Sequence, residues 1–213
     1  SYPLIVRFGH FYRRSDSRKI QRFRCLGCKK SFSNATHHSC FRQKKRHKNE
    51  PLRRLLSSGI SQRRAARILH LTRRTIVRKL IFLAHQARFD LERFNLERPR
   101  AEIIEFDDLE TFEHTKCKPL SVTLAVESKT RRILGFEVSQ MPAKGLLAKI
   151  AVKRYGRRPD FRSQGRMRLF ERIGVHVADQ ALIKSDSNPH YISDVERFFP
   201  SSEHERHPGQ RGS

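Results

Sequence analysis

The sequence predicts a multidomain protein of mixed α+β class, and three observations carry that expectation. The first is charge. Residues 1–100 hold 27 Lys and Arg against 5 Asp and Glu, a net of +22, whereas residues 101–213 hold 19 against 16, a net of +3. The second is a change of hydrophobic period, from helical spacing between residues 50 and 90 to strand-like spacing from residue 102 onward. The third is a C-x-x-C at Cys25 and Cys28, ahead of both segments. A chain of 213 residues accommodates one medium domain or several small ones, and these signals divide it into 1–42, 50–90 and 102–213.

Composition narrows the class. The hydrophobic fraction is 37% and the charged fraction 31%, respectively below and above the globular norm, so exposed charged surface is extensive. No apolar run approaches the roughly 20 residues a membrane span needs, and no leader-like segment opens the chain. A soluble intracellular protein with no membrane partner is expected. The chain opens on Ser1 rather than Met, which reads as a fragment or a processed product. A basic half joined to a near-neutral half is the footprint of a polyanion-binding module attached to something else; the alternative is a merely solvated basic surface. Four cysteines are too few for a disulfide scaffold of this length and point to a reduced compartment.

The stretch RFRCLGCKKSF places Cys25 and Cys28 on one turn, flanked by aromatics and bases. Zinc takes four soft ligands in a tetrahedron, and a C-x-x-C supplies two, which is half of a zinc ribbon. His10, His37, His38 and Cys40 are candidates for the other two; the alternative is a pair of reduced thiols in a basic loop.

From Pro51 the spacing predicts three helices. Leu52, Leu55 and Leu56 mark the first, which Ser57-Ser58-Gly59 ends. Ser61 can cap a second with Ala65, Ile68 and Leu69 inward. Thr72 can cap a third, whose buried stripe is Ile76, Val77, Leu80, Leu83 and Ala84. A short helix, a tight turn and a helix with a basic start is the spacing of a DNA-binding helix-turn-helix. Arg73, Arg74 and Arg78 would then face a groove of double-stranded DNA, and Arg63, Arg64 and Lys79 would meet phosphates. The alternative is a helical hairpin with solvated bases. Residues 86–101 read as a helical extension and linker ended by Pro99.

Beyond residue 102 a short apolar run, Ile103, Ile104 and Phe106, ends at Asp107. Strands over 120–127 and 131–140 follow, then helices over 143–155 and 166–173. ALIKSD is a strand that again ends on an aspartate, Asp186, and ISDVERFFP suggests a last helix stopped by Pro200. If the two Asp-bearing strands are neighbours in one sheet, Asp107 and Asp186 converge. Paired carboxylates repel unless a divalent cation sits between them, and Mg2+ or Mn2+ suits oxygen ligands and phosphodiester chemistry. Asp108 is the alternative to Asp107. Glu110 and Glu113 read as neighbouring or simply solvated groups.

Read together, RFRCLGCKKSF, SGISQRRAARILHLTRRTIVRKL, FDDLETF with KTRRILGFEVS, and IKSDSNPHY make the chain resemble transposases of the insertion-sequence-one-like group. The resemblance runs over essentially the whole chain. It implies a zinc-ribbon start, a helix-turn-helix and an α/β ribonuclease-H-like catalytic domain. It also implies a cytoplasmic, nucleoid-associated bacterial enzyme that works as a homo-oligomer on element ends and target DNA. Asp107 and Asp186 would be the first two catalytic acids. Two departures stand out. Tyr2-Pro3 occupies the place of the family's Cys-Pro motif. The third acid, due on a helix after Asp186, is not evident before the tail SSEHERHPGQRGS, where Glu203 and Glu205 are the late carboxylates, so the domain reads as incomplete.

Overall fold

The computed structural model describes residues 4–208. Tyr2 and Pro3 lie outside them. The architecture is mixed α+β with several helices and two sheets, and the chain divides into two compact units, residues 1–89 and 90–213.

The first unit opens with an antiparallel sheet of three strands, β1 (Ile5–Arg13), β2 (Arg18–Cys25) and β3 (Ser31–Ser33), in that spatial order. A bulge interrupts the β1–β2 register between Arg7 and His10, where Gly9 takes a φ of 68° that a side chain would resist. The hairpin is tied at its far end by Asp16, which accepts from Arg13 at 2.6 Å and from Arg46 at 3.0 Å.

Three helices follow: α1 (Asn49–Ser57), α2 (Gln62–Ile68) and α3 (Arg73–Leu96). Gly59, at φ 76°, lets the chain turn after α1. The Ser61 hydroxyl accepts the Arg64 amide at 3.3 Å and caps α2. The Thr72 hydroxyl accepts the Thr75 amide at 3.3 Å at the start of α3. Leu52, Ala65, Leu69 and Ile76 form the core, with Leu55, Leu56, Ile60 and Leu83 packed against it.

Two expected inward positions are corrected. Ile68 is 48% exposed, because the short α2 offers only its Ala65–Leu69 edge to the core, and Ala84 lies on the exposed side of α3, where Leu83 makes the core contact. The segment expected as extension and linker is mostly one continuous helix, since its Leu, Glu, Arg and Gln residues favour α3 as far as Leu96.

In the second unit β4 (Ala101–Phe112), β5 (Pro119–Glu127) and β6 (Ile133–Gln140) form an antiparallel meander. Then come α4 (Leu147–Tyr155), α5 (Arg162–Ile173), β7 (Val177–Asp186), α6 (Pro189–Phe198) and β8 (Glu203–His207). The sheet order is β6-β5-β4-β7-β8, with β7 parallel to both β4 and β8. Strand β8 was not expected: EHERH has no apolar alternation, and its place at the sheet edge is set by pairing with β7.

One face of this sheet is covered by α5 and α6. Ile104, Phe106, Ala125 and Ile183 pack there against Leu169, Phe170, Tyr191 and Val195. Phe106 sits edge-on to Phe170 with ring centroids 5.0 Å apart, and 4.8 Å from Tyr191. Gly165 allows α5 to lie close on β6, since a Cβ there would come within 1.9 Å of the Ser139 hydroxyl. The opposite face exposes Leu109, Leu124, Ile133 and Val138 in part.

Candidate functional site

Asp107 and Asp186 come together on the uncovered face. The parallel ladder pairs Ile103 with Leu182, Ile104 with Ile183 and Glu105 with Lys184, so that Asp107 and Asp186 each lie two residues beyond its last pair. Neighbouring strands lie about 4.8 Å apart. Strict alternation puts Glu105 and Asp107 on the face opposite Ile104 and Phe106, and Lys184 and Asp186 opposite Ile183 and Ser185. Both aspartates line one cleft of about 770 Å³, with Leu109, Leu124, Val126 and Ile133 as its apolar wall.

Asp107 does not end its strand, as expected from sequence. Strand β4 continues to Phe112 through its ladder with β5, while the ladder with β7 stops at Glu105. The two carboxylates therefore stand where β4 and β7 stop pairing, at the carboxyl end of β7. That is where open α/β sheets form binding crevices.

The electrostatics of the cleft are uneven. Glu105 is held by Ser128 at 2.5 Å and Arg131 at 3.0 Å, and Glu205 by Lys184 at 3.1 Å and His207 at 3.0 Å. Asp107 and Asp186 have no such partners: among the described residues no Lys, Arg or His forms an ion pair with either. Each instead accepts a nearby amide, Asp107 that of Asp108 at 2.7 Å and Asp186 that of Asn188 at 3.0 Å. Asn188 in turn caps α6 by accepting the His190 amide at 3.1 Å.

Asp108 points into the covered side. Thr123 donates to one of its oxygens, and the buried Arg166 reaches the other at 3.3 Å. Arg166 also donates to Asp194 at 2.7 Å and stacks over Tyr191, 5.1 Å from the ring centre. Burial, with Asp108 and Asp186 close by, pushes the Tyr191 phenol far above its usual range. Of the other acids, Glu110 pairs with Lys144 and Glu113 with Arg158. The sequence reading missed α6 as a source of late carboxylates: it carries Asp194, committed to Arg166, and Glu196. Glu203 and Glu205 lie on β8 rather than on a helix.

For a divalent cation, the residues present offer two hard oxygen donors side by side. Among the described residues no group of three or more His, Cys, Asp or Glu is assembled. A carboxylate pair still fits Mg2+ or Mn2+, which commonly hold one or two carboxylates and fill the remaining positions with water and substrate phosphate.

The cysteines fit zinc less well. Cys28, through its amide and thiol, and the Gly27 amide hold the Cys25 thiol below its usual range. The pair is half of a tetrahedral set, and the expected partners are engaged elsewhere. His37 packs edge-on against Phe32, His38 accepts the Cys40 amide at 3.0 Å, and Cys40 accepts from Asn49 at 3.4 Å. His10 pairs in register with Gln21 on β1. The described residues do not complete a zinc site.

On the helical unit, Arg63 and Arg64 on α2 are exposed, as are Thr72, Arg73, Arg74 and Arg78 at the start of α3. Lys79 is corrected. It is 4% exposed, and its ammonium donates to Asn49 at 2.6 Å and to Gln43 and the Lys44 carbonyl at 3.2 Å. Burial pushes it below the usual lysine range. It clamps the segment before α1 onto α3 and is not available to a phosphate.

No protein-family model matches the chain, and no curated protein matches it. Among the described residues no helix is long and apolar enough to cross a membrane.

Proposed function

We propose that the chain is a DNA transposase polypeptide: it binds element ends through the α1–α3 unit and carries out metal-dependent strand cleavage and transfer at Asp107 and Asp186. The observation that carries this reading is the pair itself. In a protein of formal charge +25, two carboxylates line one cleft, and among the described residues neither forms an ion pair, the Lys184 and Arg131 of the same cleft being taken by Glu205 and Glu105. Such a pair is stable when a cation is shared between them. The sheet order supports the ribonuclease-H-like reading: an antiparallel meander extended by two parallel strands, with acids on the first and fourth strands.

A divalent ion held there would polarise a phosphodiester and lower the pKa of an attacking water or 3′-hydroxyl. The chain's own residues divide the remaining work. Asp107 and Asp186 hold the charge, Lys184 and Arg131 keep the flanking glutamates neutralised, and Arg63, Arg64, Arg73, Arg74 and Arg78 engage duplex DNA. A homo-oligomer belongs to the same proposal.

A second reading is a non-catalytic DNA-binding remnant, favoured by the presence of a pair rather than a triad of acids among the described residues. A manganese-supported nicking assay on duplex DNA separates the two. Nicking by the wild-type chain that vanishes in Asp186→Asn supports the enzyme. DNA binding without nicking in either protein supports the remnant.

A further inference from the structure

The surface of the β1–β2–β3 sheet is strongly basic and carries exposed aromatic rings. Residues 4–49 hold fourteen Lys and Arg against one acid, Asp16, which Arg13 and Arg46 already neutralise. Aromatic rings stand in this field partly exposed: Phe8 is 42% exposed, Phe11 38% and Phe41 46%. The Arg22 and Arg24 guanidinium groups lie 5.2 and 5.3 Å from the Phe8 ring centre. Phe11 pairs with Ile20, whose side chain shares a face with Arg22 and Arg24 by the period of two along β2. Phe11 also lines a hollow of about 240 Å³ with Arg13, Phe41, Arg42 and Arg46.

Exposed rings on a twisted sheet are of little use against a duplex, whose bases are stacked on one another inside. Phosphates alone would be met as well by arginines without rings. Unpaired bases are different, because each offers a π face that stacks on an aromatic side chain while the backbone follows the positive charge.

We propose that this face of the N-terminal sheet binds an unpaired DNA strand, with Phe8 and Phe11 stacking on bases and Arg22 and Arg24 holding phosphates. The assignment to DNA rather than RNA rests on the transposase reading, since strand cleavage and transfer expose single strands at DNA ends.

The test measures fluorescence anisotropy of the whole chain with a labelled oligo-dT of about 20 nucleotides and with a duplex of the same length. Phe8→Leu with Phe11→Leu keeps apolar bulk and removes the rings. It should weaken oligo-dT binding by about tenfold or more while leaving duplex binding within about twofold. The chain has no tryptophan, so Phe8→Trp adds a single reporter whose emission should be quenched by oligo-dT and not by duplex. Undiminished oligo-dT binding in the leucine variant, or an equal loss on the duplex, overturns the proposal. Tighter binding of oligo-rU than of oligo-dT overturns the assignment to DNA. Duplex bound with oligo-dT ignored sinks this surface alone. Oligo-dT bound with duplex ignored sinks the helix-turn-helix reading and leaves this one standing.

Discussion

Asp107 and Asp108 are neighbours in sequence and opposites in circumstance. Asp108 faces the covered side of the sheet, fixed by Thr123 and by an arginine only 4% exposed, which also binds Asp194. Asp107 faces the open side in the cleft that Asp186 also lines, with no ion pair among the described residues. One peptide unit separates a structural carboxylate from an available one, because successive side chains of a strand leave on opposite faces. The doublet therefore does two jobs with identical chemistry. The covered face neutralises its acids internally, and the open face leaves a pair for something else to neutralise.

The comparison breaks first at Arg166. Replacing it with Met strands two carboxylates on the covered side, and removing one partner from a buried ion network costs about 3–5 kcal/mol. Urea unfolding should show that loss for Arg166→Met. Asp107→Asn should change stability by no more than about 0.5 kcal/mol, or raise it slightly by relieving repulsion with Asp186. Equal destabilisation by the two variants would mean that the faces do not differ in kind.

The open face can be sharpened with metal. A ligand that binds only the folded chain stabilises it by about 2.7 kcal/mol at a hundred times its dissociation constant. Thermal unfolding in increasing Mn2+ should therefore move upward for the wild-type chain and stay flat for Asp107→Asn and Asp186→Asn. Asp108→Asn should keep the Mn2+ response from a lower starting stability. A Mn2+ response that follows Asp108 instead would reverse the roles assigned to the doublet.

These assignments were partly legible in the sequence. The β-branched run of LSVTLAVE, the Ser61 cap and the aspartate at the end of ALIKSD are local signals, and the structure uses each of them locally. What lay outside the sequence depended on distant partners. Strand β4 runs past Asp107 because β5 pairs with it through Phe112, a fact that the polar stretch after Asp107 does not announce. Strand β8 exists because β7 offers an edge. The fate of Lys79 depended on Asn49, Gln43 and Lys44, thirty or more residues away, so a lysine beside three exposed arginines read as a fourth contact. Charge was legible; which charges were already engaged was not.

The same contrast recurs in the helical unit between adjacent residues Arg78 and Lys79. Lys79→Met leaves the buried Asn49 side-chain oxygen without its donor, at about 1–3 kcal/mol for an unsatisfied group. Arg78→Ala should leave stability within about 0.5 kcal/mol. On duplex DNA the order reverses. Arg78→Ala should weaken binding and, where it meets a phosphate, reduce the salt slope by about 1, while Lys79→Met should leave the slope unchanged. A reduced slope in Lys79→Met, measured in a folded preparation, would return that lysine to the interface.

The smallest effect belongs to an exposed acid that does have partners. Glu50 accepts from Arg53 at 2.6 Å and Arg54 at 2.9 Å in the first turn of α1, and those bonds pull its carboxyl down to about 2. In the unfolded chain the same group titrates near 4.3, roughly the unperturbed glutamate value. The folded pKa is the lower one, so the unfolded chain binds the proton first as pH falls. The contribution is complete above the unfolded pKa and is lost between there and about 2. Thermal stability followed down this range should fall more for the wild-type chain than for Glu50→Gln, by a margin that shrinks in high salt because the pair is solvated. Parallel acid limbs would mean that the arginines contribute nothing to Glu50 in the folded chain. In that event the contrast between engaged and available carboxylates would hold only where the engaged ones are buried.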